Sequence, residues 1–134
     1  VEQSALMPVF LDTNILGYLL DSGKKEKIAR RLASAQSHVS VQVLNEFIAV
    51  CRKAGKDRET AYALADAIAN ASIVHDITLS TYRLAQALAT RYQLSHWDSL
   101  IVAAATLAQC ETLYSEDLQH GQVIGTVKVV NPFK

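Results

Sequence analysis

The sequence predicts an α/β protein: a mostly parallel sheet with helices on both faces, folded as one domain. Two observations carry this. Short, continuous apolar runs rich in β-branched residues, as a doubly covered strand requires, alternate with helical patterns of about 10–15 residues. The chain has 134 residues, half of them apolar and only 7% aromatic. At roughly 100–200 residues per domain that is one domain, large enough to bury about two-thirds of its unfolded surface without a metal or disulfide staple.

Each element has its own signal. Val9-Phe10-Leu11 follows Pro8 as a buried first strand and ends at Asp12. Thr13 to Leu20 carries Ile15, Leu16, Leu19 and Leu20 at helical spacing, and Asp21-Ser22-Gly23 breaks it. Lys24 to about Ala35 is a second helix with Ile28 and Leu32 as its stripe. His38-Val39-Ser40 is a short strand, and Val41 to about Ala54 a helix with Ser40 at its N-cap and Gly55 as its stop. Asp57 to about Ala71 and Leu79 to about Tyr92 are Ala-rich helices flanking the strand Ile73-Val74. Ser95 to about Ala108 is a helix, Thr112-Leu113-Tyr114 a strand, and Val127 to Val130 a final strand after a loop containing Gly121 and Gly125.

Composition excludes several classes. Charged residues at 19%, five glycines and two prolines exclude disorder, and no apolar run approaches the ~18 residues of a membrane span. Cys51 and Cys110 lie far apart without zinc-ligand spacing, so they read as small core residues in a reducing cytoplasm. Residues 1–7 read as an extension ahead of a domain spanning 8–134. They have neither the basic nor the long apolar region of a signal peptide.

Thirteen basic residues balance thirteen acidic ones, but unevenly. Residues 24–58 hold nine basic side chains against Glu26, Glu46 and Asp57, a surplus of six that the rest of the chain offsets with acids. Such a split suits a basic surface beside an acidic pocket, and equally fits ordinary solvated helix faces.

Four carboxylates are the candidates for chemistry: Asp12, Glu46, Asp98 and Asp117. Asp12 and Asp117 follow predicted strands, whose carboxyl ends face the ligand crevice of an open parallel sheet. Asp12 also suits a helix N-cap. Glu46 shares a stripe with Val43 and Val50 and should border the core, where an unpaired charge must protonate, find a cation or bind a metal. Asp98 precedes Ile101 and Val102 on the buried side of its helix, and alternatively forms a capping box with Ser95. Trp97 reads as a packing residue rather than a base-stacking platform, and His96 as a surface or supporting group. Converging carboxylates repel one another unless a divalent cation balances them. Mg2+ or Mn2+ prefers oxygen ligands and bridges to phosphate oxygens. Asn14 and Ser115, each within two positions of a candidate ligand, are placed to hold it or to serve as turn residues.

Four segments occur in a recognisable order: Phe10-Leu11-Asp12-Thr13-Asn14-Ile15-Leu16, Ser40-Val41-Gln42-Val43-Leu44-Asn45-Glu46-Phe47, Ser95-His96-Trp97-Asp98-Ser99-Leu100-Ile101-Val102-Ala103-Ala104-Ala105 and Leu113-Tyr114-Ser115-Glu116-Asp117-Leu118-Gln119-His120-Gly121. Each is weak alone; the ordered set, spanning Val9 to Phe133, resembles the PIN domain, and specifically the VapC-type ribonuclease toxins of prokaryotic toxin–antitoxin pairs. The resemblance implies a three-layer α/β/α fold and a cytoplasmic, Mg- or Mn-dependent endoribonuclease. It implies Asp12, Glu46, Asp98 and Asp117 as metal ligands, with Thr13 or Asn14 and Ser115 in support. It also implies a homodimer and an antitoxin whose tail blocks the site. For RNA contact, Lys24, Lys25, Arg30, Arg31, Arg52 and Lys53 are the candidates.

Competing readings fit less well. A receiver domain requires paired acids after the first strand, where Asp12 stands alone, and a dehalogenase-like phosphatase requires a second Asp where Asn14 stands. A non-catalytic PIN-like RNA- or protein-binding module is the serious alternative, and the presence of all four acids weighs against it.

Overall fold

The computed structural model describes residues 8–134. The extension expected at 1–7 lies outside the described residues. The chain runs β1 (Val9–Leu11), α1 (Thr13–Gly17), a 3-10 turn (Tyr18–Leu20), α2 (Lys24–Ala33), β2 (His38–Ser40), α3 (Val41–Lys53), α4 (Arg58–Ala71), β3 (Ile73–His75), α5 (Leu79–Tyr92), α6 (His96–Leu107), β4 (Thr112–Tyr114), β5 (Val123–Ile124) and β6 (Val127–Val130).

Helix starts follow local chemistry. The side chains of Asp12, Ser40, Asp57, Thr78 and Ser95 each accept a backbone N–H of the helix that follows. This satisfies donors that the first turn leaves without partners. Gly55, at φ +92, takes the left-handed conformation that ends α3, as the sequence predicted. The first helix is tighter than expected, since its last three residues wind into the 3-10 turn. A second departure from expectation is β5, which lies within the loop expected before the final strand. Gly125, at φ +63, turns the chain so that β5 pairs antiparallel with β6, and two residues are too short a run for hydropathy to reveal.

The sheet has the order β3-β2-β1-β4-β6-β5, parallel except for the last pair. Phe10 and Leu11, adjacent on central β1 and therefore pointing to opposite faces, are both fully buried, so helices cover both faces. On one side α6 packs on β2, β4 and β6 and against α5; α3 packs on α4, α1 and β2. Cys51 and Cys110 are free and buried in the core. No helix among the described residues is long and apolar enough to cross a membrane.

One topological fact positions the site. After β1 the chain crosses to β2 on one side, and β4 later inserts on the other, so the connections diverge between β1 and β4. In open parallel sheets the crevice for ligands lies at the carboxyl ends of the strands where they diverge. Leu11 is in register with Tyr114 there, and the Asp12 N–H donates to the Tyr114 carbonyl at 3.0 Å. The residues after the two strands, Asp12 and Ser115, are therefore neighbours.

Candidate active site

Asp12 is 6% exposed and uses both carboxylate oxygens. Oδ1 accepts the Thr13 N–H at 2.7 Å; Oδ2 accepts the Ser115 hydroxyl at 2.9 Å and the Asn14 amide at 3.1 Å. The N-cap reading and the site reading of Asp12 are thus compatible, one oxygen serving each. Burial pushes its carboxyl up to about 6 despite the hydrogen bonds from Ser115 and Thr13, and the charges of Asp117 and Glu46 push in the same direction.

Glu46 reaches the cleft from α3. Thr13 Oγ1 donates to its Oε1 at 2.6 Å and Gln42 Nε2 to its Oε2 at 3.0 Å. Its placement corrects the stripe argument. The core face of α3 is Val43, Phe47 and Cys51, while Val50 is 37% exposed and Glu46 stands half-buried on the flank. At 100° per residue, Glu46 lies about 60° to one side of Val43 and Phe47 about 40° to the other, and the core lies on the Phe47 side.

Asp117 and Glu116 part company. Asp117 is exposed at the rim and raises the Asp12 pKa. Glu116 accepts from Tyr18 Oη at 2.6 Å and pairs with Lys25 at 2.7 Å, and these partners hold its carboxyl below the usual range. Thr13, Asn14, Tyr18, Glu46, Glu116 and Asp117 share an open cleft of about 460 Å³.

Asp98 is half-buried in the first turn of α6, where its N–H donates to Ser95 Oγ at 3.1 Å, one half of the expected capping box. Among the described contacts none joins its carboxylate to the other acids. The link is indirect: Gln42, which holds Glu46, also donates to the Trp97 carbonyl at 3.4 Å. Trp97 itself is 66% exposed, so it is not the packing residue the sequence suggested.

All six basic candidates are exposed. Lys25 is bound to Glu116 and Tyr18 at the cleft edge, and Arg30 pairs with Glu26 one helical turn away. Lys24 and Arg31 share α2 with them; Arg52 and Lys53 stand in the last turn of α3. Tyr18 and Gln42 were not singled out from the sequence. Both lie one turn from a candidate residue, Tyr18 at i+4 from Asn14 and Gln42 at i−4 from Glu46, which is the spacing that would have found them.

A divalent cation suits the donor chemistry of this cleft. Asp12, Glu46 and Asp117 offer only oxygen, repel one another through a buried carboxyl, and have no Lys or Arg salt bridge among the described residues. As they stand, no three His, Cys, Asp or Glu side chains among the described residues close around one point.

Fold and cleft together define an α/β domain with an acidic crevice at the diverging ends of its parallel strands. The chain belongs to the PIN domain family, whose model matches residues 9–124. No curated protein matches the sequence. Among solved structures, it resembles a toxin–antitoxin complex from Klebsiella pneumoniae at 26% identity and a TM-score of 0.69, covering 94% of this chain and 98% of that one. It shares the fold of VapBC from Salmonella typhimurium, at 16% identity and a TM-score of 0.70 over 92% and 97% of the two chains. It likewise shares the fold of VapC20 from Mycobacterium tuberculosis, described as a Sarcin-Ricin loop cleaving toxin, at 21% identity and a TM-score of 0.67 over 81% and 89%.

Proposed function

We propose that the protein is a divalent-metal-dependent endoribonuclease, the toxin of a toxin–antitoxin pair. The observation that carries this reading is the buried Asp12 carboxylate, held by Ser115, Asn14 and Thr13 and facing Glu46 and Asp117 without a basic partner among the described residues. Membership of the PIN family and the likeness to toxin–antitoxin structures support it.

Asp12, Glu46 and Asp117 would hold Mg2+ or Mn2+, with Asp98 joining from the first turn of α6. When bound, such an ion lowers the pKa of a water and neutralises charge on a phosphodiester during in-line attack. The rest is done by this chain. Ser115 and Asn14 fix the orientation of Asp12, and Thr13 and Gln42 fix that of Glu46. Lys25 restrains Glu116, leaving Asp117 as the free acid of the pair. Lys24, Arg31, Arg52 and Lys53 are exposed for RNA phosphates, with Lys25 and Arg30 beside them. Affinity for RNA should therefore fall steeply between 50 and 200 mM salt, as counterion release requires.

The antitoxin would seat an apolar segment between the 3-10 turn, α2, α3 and α4, where Leu19, Leu20, Phe47, Leu64 and Ile68 line a hollow with Arg30 at its edge. A homodimer is part of the same reading.

The test is cleavage of a panel of structured and single-stranded RNAs by purified, antitoxin-free protein, with Mg2+ or Mn2+ and with EDTA. Asp12→Asn and Asp98→Asn should each abolish cutting with the fold retained. Uncut RNA in the presence of metal would overturn the enzyme reading in favour of a binding module. Equal cleavage by wild type and both variants would overturn the site assignment.

A further inference from the structure

A second hollow, of about 350 Å³, adjoins the acidic cleft and shares Glu46 with it. Val41, Gln42, Asn45, Ile77, Trp97 and Leu100 complete its lining. Two features there lack an explanation in the fold. Trp97 is the only tryptophan of the chain and is 66% exposed, although burying an indole is among the larger apolar gains open to a small domain. The ring centroids of His96 and Trp97 lie 5.9 Å apart and those of His96 and Tyr82 6.0 Å apart, both edge to face, so the indole is braced without being covered. The second feature is Gln42. Its Nε2 donates to Glu46 and to the Trp97 carbonyl, which sets the amide orientation, and its Oε1 is shielded from solvent with no donor among the described residues. A buried acceptor left unpaired is costly and uncommon.

We propose that this hollow is a nucleobase subsite, in which a base of single-stranded RNA neighbouring the scissile phosphate stacks on Trp97 and meets the amides of Gln42 and Asn45. The inference rests on the nuclease reading above and adds where sequence preference is set. A nucleobase has the two properties the hollow lacks: a flat π-face for the indole, and ring N–H or amine donors for an amide oxygen. Its position follows from Glu46, which walls the hollow on one side and the acidic cleft on the other, so a strand whose phosphate sits at the carboxylates places an adjoining nucleotide here.

Trp97 emission reads this site directly, because no other tryptophan contributes. The wild-type chain in EDTA is titrated with hexamers of A, C, G and U ribonucleotides, and cut sites in a randomised single-stranded RNA are mapped with Mn2+. Saturable quenching that favours one base is expected. Trp97→Ala should weaken binding by roughly five- to a hundredfold, and Trp97→Phe should retain most of it. In cleavage, Trp97→Ala should raise KM and flatten the preference at the cut while kcat stays within about threefold. If Trp97 emission is unmoved by RNA that the protein still cuts, the base subsite is overturned and the nuclease reading stands. Quenching by RNA that is never cut supports the subsite and sinks the nuclease reading; neither quenching nor cutting sinks both. Emission that follows protein concentration and ignores RNA, with Trp97→Ala converting a dimer to a monomer, assigns the hollow to a second copy and overturns the proposal.

Discussion

Ser115 Oγ donates to Asp12 Oδ2 at 2.9 Å, joining residues 103 positions apart through the pairing of β1 with β4. The same oxygen accepts the N–H groups of Asp117 at 3.2 Å and Leu118 at 3.4 Å. One hydroxyl therefore orients the buried carboxylate and shapes the turn that carries Asp117. Ser115→Ala should cost about 1–3 kcal/mol of stability, because it leaves buried polar groups without a partner. It should also raise the Asp12 pKa, moving the acid limb of the cleavage profile upward. Urea unfolding together with a pH–rate profile checks both, and a profile identical to wild type would remove Ser115 from the site.

The raised Asp12 pKa makes metal affinity pH-dependent. A proton and a cation compete for one carboxylate, so Mg2+ or Mn2+ affinity should rise about tenfold per pH unit below about 6 and level off above it. Calorimetric titration across pH 5 to 8 measures this. An affinity flat across that range would place the ion elsewhere.

Without metal the same group acts on stability with a definite sign. Its folded pKa of about 6 lies above the ordinary 3.8, so the folded state holds the proton more tightly. The contribution is fully present below pH about 3.8 and is lost as pH rises through about 6. In EDTA, wild type should thus lose up to about 3 kcal/mol over that window relative to Asp12→Asn, which has no such proton. Parallel stability curves for the two proteins would contradict the assignment.

Glu116 and Asp117 should separate under mutation. Glu116 is committed to Lys25 and Tyr18, whereas Asp117 faces Asp12 electrostatically. Asp117→Asn is expected to reduce cleavage and metal affinity by about tenfold or more and to lower the Asp12 pKa. Glu116→Gln should change cleavage by no more than about threefold. The reverse order would exchange their roles.

At the far edge of the sheet, His38 Nδ1 and His75 Nε2 lie 2.7 Å apart and their rings stack at 5.0 Å. Burial holds both below the usual histidine range; His75 adds to the effect on His38, and Asp76 partly offsets it on His75. Groups depressed in this way contribute stability at neutral pH that is lost as pH falls below about 6.5. Amide exchange in β3, corrected for intrinsic rate, should be faster at pH 5.5 than at 7.5, and His75→Gln should flatten the difference.

Most of the fold was legible because its signals are local. Apolar runs marked the long-range strands, and Ser40, Asp57 and Ser95 acted on N–H groups within three residues. β5 escaped because two residues paired through a glycine turn carry no periodicity. Trp97 was misread because hydropathy favours burying an indole, and only the packing of α6 against its neighbours shows that this ring is left outside.

By itself, the sequence determined the α/β class, the element boundaries to within a few residues, and the acids available, since capping, turn chemistry and period act over one or two helical turns. Only the tertiary structure decided which distant side chains hold those acids. Asp12 reaches Ser115 because β4 inserts beside β1, and Glu46 reaches Thr13 because α3 lies along α1. Strand order and helix packing are set by the joint burial of residues far apart in the chain, a condition that no local pattern encodes.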